Sequence, residues 1–168
     1  MRLRLYLADM VEPQANGKLA VLGLYSDLVI VLNVPPGSPD PTPEAAFGTD
    51  MCLMLTLSDM RVGPANGEMQ MFAPGIESTP VMKVKFSFPI PEDGASANLP
   101  ITLRPLPVPA LGIYTVEVRI GTEVLIETFE VRVRIDPAAP PPMLLAPSDG
   151  VARGAVAEAP ALQPTSAP

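Results

Sequence analysis

The chain has 168 residues, 48% of them hydrophobic and 17% charged, which allows one domain of ordinary size with a single core. Its net charge of −7, with 11 basic residues scattered among 18 acidic ones, argues against phosphate backbones and anionic membranes as partners. No histidine and a single cysteine, Cys52, exclude Ser-His-Asp and Cys-His nucleophiles, histidine zinc sites and an intramolecular disulfide framework.

Arg2 to Met10 reads as a first strand, with Leu3, Leu5 and Leu7 on one face and Arg2, Arg4 and Tyr6 on the other. Asp9 and Glu12 interrupt any apolar run that could serve as a secretion leader, so none is expected. Ala15-Asn16-Gly17 is a turn signal, because Asn-Gly readily takes positive φ, and Lys18 to Tyr25 is expected to return as the partner strand. The unbroken apolar run Leu28 to Leu32 suggests a strand buried on both faces. The alternative, given less weight, is an exposed edge that recruits a partner by strand addition. Pro35 to Glu44 (PPGSPDPTPE) has no period and is expected to be an extended, exposed loop.

Alternation resumes in Met51 to Leu57, where Cys52 shares parity with Met54 and opposes Leu53, Leu55 and Leu57. Asn66-Gly67 predicts a further turn, followed by a short strand Glu68 to Phe72. Val81 to Phe88 places Met82, Val84, Phe86 and Phe88 inward against Lys83, Lys85 and Ser87. Pro89 to Ala97 is expected to be a loop, Pro100 to Arg104 a short strand, and Pro105 to Pro109 a rigid connection.

The clearest pattern runs from Leu111 to Asp136. Tyr114, Val116, Val118 and Ile120 share one face, Gly121-Thr122 supplies a turn, and Phe129, Val131, Val133 and Ile135 share the inward face of the return strand. Glu and Arg alternate on the outer faces, where cross-strand pairing would help. Tyr114 is expected either as an inward core aromatic or as the tyrosine that bonds back to the chain just upstream in immunoglobulin-like sandwiches. After Pro137 the sequence becomes rich in Ala and Pro with no period, and residues 137–168 are expected to be a disordered tail, with Met143-Leu144-Leu145 its one apolar knot.

Little of this is equipped for chemistry. Cys52 has no thiol or histidine beside it in sequence and reads as an inert small residue. Asp40, Glu44 and Asp50, and Glu92-Asp93, are too dispersed for a calcium loop and read as solvated charge. The basic pairs Arg2/Arg4, Lys83/Lys85 and Arg132/Arg134 read as solvated strand faces. Met51, Met54, Met60, Met69, Met71 and Met82 read as core filling, since a soft-metal site would want cysteine or histidine company.

The stretch Ala8-Asp9-Met10-Val11 through Asn16-Gly17-Lys18-Leu19-Ala20-Val21-Leu22-Gly23-Leu24-Tyr25-Ser26-Asp27, with Gly112-Ile113-Tyr114-Thr115-Val116 later, resembles a family of small uncharacterised bacterial proteins. The resemblance covers about residues 1 to 135 and implies a small β-sandwich with an immunoglobulin-like C-terminal hairpin. It carries no functional residue across, and the loop 35–44 and the Ala/Pro tail depart from it.

The expectation is therefore an all-β protein: residues 1–136 as a single antiparallel β-sandwich, immunoglobulin-like or similar, of about eight strands, and residues 137–168 as the tail. Functionally it reads as a non-enzymatic protein-binding or assembly module of the bacterial cytoplasm. It would need no cofactor and no metal, and would pair with a protein partner or with itself rather than with nucleic acid or membrane. The candidate interaction surface is Val29, Ile30, Val31 and Leu32 with Pro35, Pro36, Pro39 and Pro41. The alternatives are a structural component of a phage or secretion particle, and a small-ligand or cation-dependent binding module.

Overall fold

A computed structural model of the chain describes residues 1–14, 18–76 and 78–145. The described residues form strands, turns and bends with no helix, so no helix here is long and apolar enough to cross a membrane. The strands are β1 (Arg2–Ala8), β2 (Met10–Pro13), β3 (Leu19–Leu22), β4 (Val29–Val34), β5 (Ala46–Met60), β6 (Gly63–Phe72), β7 (Met82–Ile90), β8 (Ala95–Val108), β9 (Gly112–Ile120), β10 (Glu123–Ile135) and β11 (Met143–Leu145).

Two larger sheets and one small ribbon result. In the first sheet the long strand β5 is central: β8 lies along one side, and β1 and β11 share the other side end to end, at residues 52–58 and 46–48. The second sheet runs β4-β10-β9-β6-β7, and β2 with β3 forms the ribbon. One cluster of buried apolar side chains draws on both larger sheets: Leu5, Leu53, Leu55 and Ile101 come from the first, Met69, Val84, Val116 and Val131 from the second.

The hairpin forms where its alternation put it, but of the inward face expected for the return strand Val133 is only half-buried and Ile135 is exposed. Ile120 pairs with Glu123 across Gly121-Thr122. Only the first of these two loop residues has positive φ (59° at Gly121), the pattern of a type II′ turn. Tyr114, Val116, Val118, Phe129 and Val131 are buried. Tyr114 fills both expected roles: its ring lies 5.2 Å from Phe129, its cross-strand partner, and its hydroxyl donates to the Ala110 carbonyl at 2.8 Å. The charged pairs differ from expectation. Arg119 with Glu117, and Arg132 with Glu130, bond along one strand rather than across two. Cross-strand ion pairs occur elsewhere, between Lys83 on β7 and Glu68 on β6 at 2.8 Å and between Arg2 on β1 and Asp59 on β5 at 3.1 Å.

Several other expectations are corrected. The first strand ends at Ala8, and β1 has its ladder with β5. It meets the segment after the first turn at one antiparallel bridge, Leu7 with Tyr25, whose N–H donates to the Leu7 carbonyl at 2.9 Å. The ladder of that segment is with β2, Pro13 opposite Leu19. The break falls at Asp9, whose carboxylate occupies the space over Gly23 (φ +64°) and accepts the Tyr25 hydroxyl at 2.8 Å. The turn itself, residues 15–17, lies outside the described residues. Asn66-Gly67 is no turn; it lies within β6, opposite Ser87 and Phe86.

Prolines mislead in the same way. β8 continues through Pro100, Pro105 and Pro107, where a short strand and a rigid connection were expected. Among the described residues its only ladder is to β5, and a strand bonded on one side offers only alternate N–H groups to its neighbour. Pro100 and Pro107 stand opposite Met54 and Gly48, positions of one parity on β5, because a register shift between Thr49 and Met51 absorbs the odd residue. Finally, Met143–Leu145, expected within a disordered tail, pairs with Ala46–Gly48 as β11. Of the rest of that expected tail, residues 137–142 turn and lead into β11, the Ala139 N–H donating to the Asp136 carbonyl at 3.0 Å, and 146–168 lie outside the described residues.

Candidate functional site

The apolar run at 28–32 becomes the edge of the second sheet, and it joins that sheet in an orientation its sequence does not announce. Leu28 enters with φ 52°, a left-handed value rare for a branched side chain, and β4 then runs parallel to β10, Val29 opposite Glu130 and Val34 opposite Ile135. The Glu130 N–H donates to the Leu28 carbonyl and the Asp136 N–H to the Val34 carbonyl, both at 2.9 Å. In a parallel ladder a residue turns both its backbone groups to the same side. The even positions of β4 therefore face β10, and Val29, Val31 and Asn33 present their N–H and C=O groups to the other edge, which no strand among the described residues pairs.

Side chains follow the same alternation. Ile30 and Val34 are buried in the core, while Val31 is 45% exposed and Asn33 is exposed on the outer face. The expected burial on both faces is therefore not found. Arg134 donates from Nε to the Asn33 side-chain oxygen at 3.0 Å. Arg132, beside Val31, is forked onto Glu130 through Nε and Nη2, both at 2.7 Å. That fork holds the Glu130 carboxyl below its ordinary range and raises Arg132.

Unpaired strand edges are commonly blocked by charge or proline. The β7 edge carries Lys83, Lys85 and Pro89, and β8 carries its three prolines. β4, Val-Ile-Val-Leu-Asn-Val, has neither.

The Pro-rich segment after β4 is only partly the extended loop expected. Pro35-Pro36-Gly37-Ser38 closes a turn with the Ser38 N–H at 3.2 Å and its hydroxyl at 2.8 Å from the Pro35 carbonyl, Gly37 having φ 82° as a type II turn requires. Thr42 and Ala45 bond reciprocally through their backbones. Pro36 and Pro39 are exposed, Pro35 is half-buried and Pro41 is buried, so the four prolines do not form one surface.

The remaining candidates resolve into structure. Cys52 is buried on the outer side of β5, on the same parity as Met54 as its spacing indicated, and burial pushes its thiol up. Met51, Met60, Met69, Met71 and Met82 are buried in the core, with Met54 half-buried. Asp93 braces the chain by accepting the Val62 N–H at 2.8 Å. Among the described residues, no three of Cys, Asp and Glu stand close enough to hold a metal ion. The charged neighbours Glu130, Arg132 and Arg134 were not singled out as part of this edge, because parallel pairing leaves no trace in periodicity. No protein-family model matches the chain, and no curated protein matches it either.

Proposed function

We propose that the chain is a non-catalytic protein-binding or assembly module whose β4 edge receives an extended segment of a partner. The observation that carries this is β4 itself: a six-residue edge without charge or proline, with Val31 on its outer face and the backbone groups of Val29, Val31 and Asn33 turned outward. In strand addition those backbone groups supply affinity and alternate side chains supply selectivity. The same reading takes the two larger sheets as the layers of one immunoglobulin-like sandwich. Their shared apolar cluster and the Tyr114 bond to Ala110 support it.

The test is capture from native lysate by the full chain and by its Val29→Lys/Val31→Lys variant, with amide exchange read on both. A partner lost with the variant, and slowed exchange at Val29, Val31 and Asn33 when that partner is bound, supports the edge. Equal capture by the two chains, with equal melting temperatures, removes it.

A further inference from the structure

We infer that the occupant of the β4 edge is the β4 of a second copy, paired antiparallel about a two-fold axis at Val31; this rests on the edge reading above and names its partner. The outward backbone groups belong to Val29, Val31 and Asn33, a set centred on Val31. Rotation about that residue places Val31 opposite Val31 of the second copy and Val29 opposite Asn33. All of these are positions at which an antiparallel pair exchanges both backbone bonds. On the core side the same rotation sets Ile30 opposite Leu32, apolar against apolar. An isologous contact of this kind closes on itself as a dimer rather than propagating.

The charges beside β4 fit this register. Glu130 lies next to Val29 and Arg134 next to Asn33, so each end of the seam carries Glu130 of one copy and Arg134 of the other on a single row of the sheet. The central row holds Arg132 from both copies, each already forked onto its own Glu130. β4 adds no charge of its own. A parallel seam would instead align Glu130 with Glu130 and Arg134 with Arg134, and its outward groups would not close on an axis.

Sedimentation equilibrium of the full chain over a concentration series, with cysteine pairing across the seam, tests this. Opposed Cα atoms at a bonded antiparallel pair lie about 5.5 Å apart, inside the disulfide span of about 4.4–6.8 Å. Val31→Cys should therefore give a covalent dimer on mild oxidation, and the wild type, whose Cys52 is buried, should not. Val29→Cys and Asn33→Cys should cross-link when mixed and not when oxidised singly. Val31→Lys should weaken the dimer at least about tenfold, a shift of about 1.4 kcal/mol, without lowering the melting temperature at concentrations where the wild type is already monomeric. A monomer at every concentration overturns the inference, while capture that depends on Val31 would still assign the edge to another protein's strand. A dimer that survives Val31→Lys and fails to cross-link through Val31→Cys also overturns it, by moving the contact to another surface.

Discussion

At Gly67 an added methyl group would overlap the Phe86 ring and come within 2.9 Å of the Arg119 carbonyl oxygen. The glycine is there so that an aromatic from the neighbouring strand can lie across β6, and Asn66 beside it accepts the Ser87 hydroxyl at 2.8 Å. Gly67→Ala should cost about 1–3 kcal/mol in urea unfolding, the usual penalty of overpacking. An Asn-Gly pair looks the same in sequence whether it turns the chain or makes room for a ring, and only the partner strand tells them apart. Tyr114 is the opposite case, since its parity fixed its inward direction before any partner was known. Tyr114→Phe should lose about 0.5–1.5 kcal/mol with the bond to Ala110. Burial pushes the Tyr114 phenol up to about 12, and Tyr25 is raised to about 12 by burial and then by its bond to Asp9, both from 10.0. The unfolded chain releases these protons first, so the stabilisation is fully present below pH 10 and is lost as pH rises through about 12. Tyr114→Phe should therefore lose less stability than the wild type across that window in alkaline denaturant titrations.

Strands with clean alternation were legible as elements, and those that depend on a neighbour were not. β1, β7, β9 and the core half of β10 bury the residues that their period of two selects. β8 was broken by prolines that an edge strand tolerates, and β4 was legible as a strand but not as a parallel one, because parallel pairing is set by where β10 lies. The same holds for β11, whose three residues have no period to read and take their conformation from the edge of β5. Gly48 makes that docking possible: a Cβ there would stand 3.0 Å from the Met143 sulfur, 3.2 Å from Pro105 Cβ and 3.3 Å from Leu145 Cδ2. Gly48→Val should displace β11. Amide exchange should then rise at Ala46–Gly48 and Met143–Leu145, while residues 52–58, paired with β1, keep their protection. Unchanged exchange at Met143–Leu145 would show that β11 is held by something other than this contact.

For the molecule as a whole, the question is whether the two larger sheets stand or fall together. Leu55 in β5 and Val116 in β9 are both fully buried, and they belong to one apolar cluster although no ladder among the described residues joins their sheets. A shared core makes each sheet's burial depend on the other, and cooperative opening reports that dependence. Leu55→Ala removes buried volume from the first sheet and should cost about 2–5 kcal/mol. If the core is one unit, the loss spreads: the most protected amides of β9 and β10 should lose as much protection as those of β5, and thermal unfolding should remain a single transition. If the loss stays within β1, β5 and β8, the sheets are separate cooperative units and the single-sandwich reading fails. The β4 edge would then sit on a five-stranded sheet that must find its own cover, and the second copy would have to supply core as well as backbone bonds.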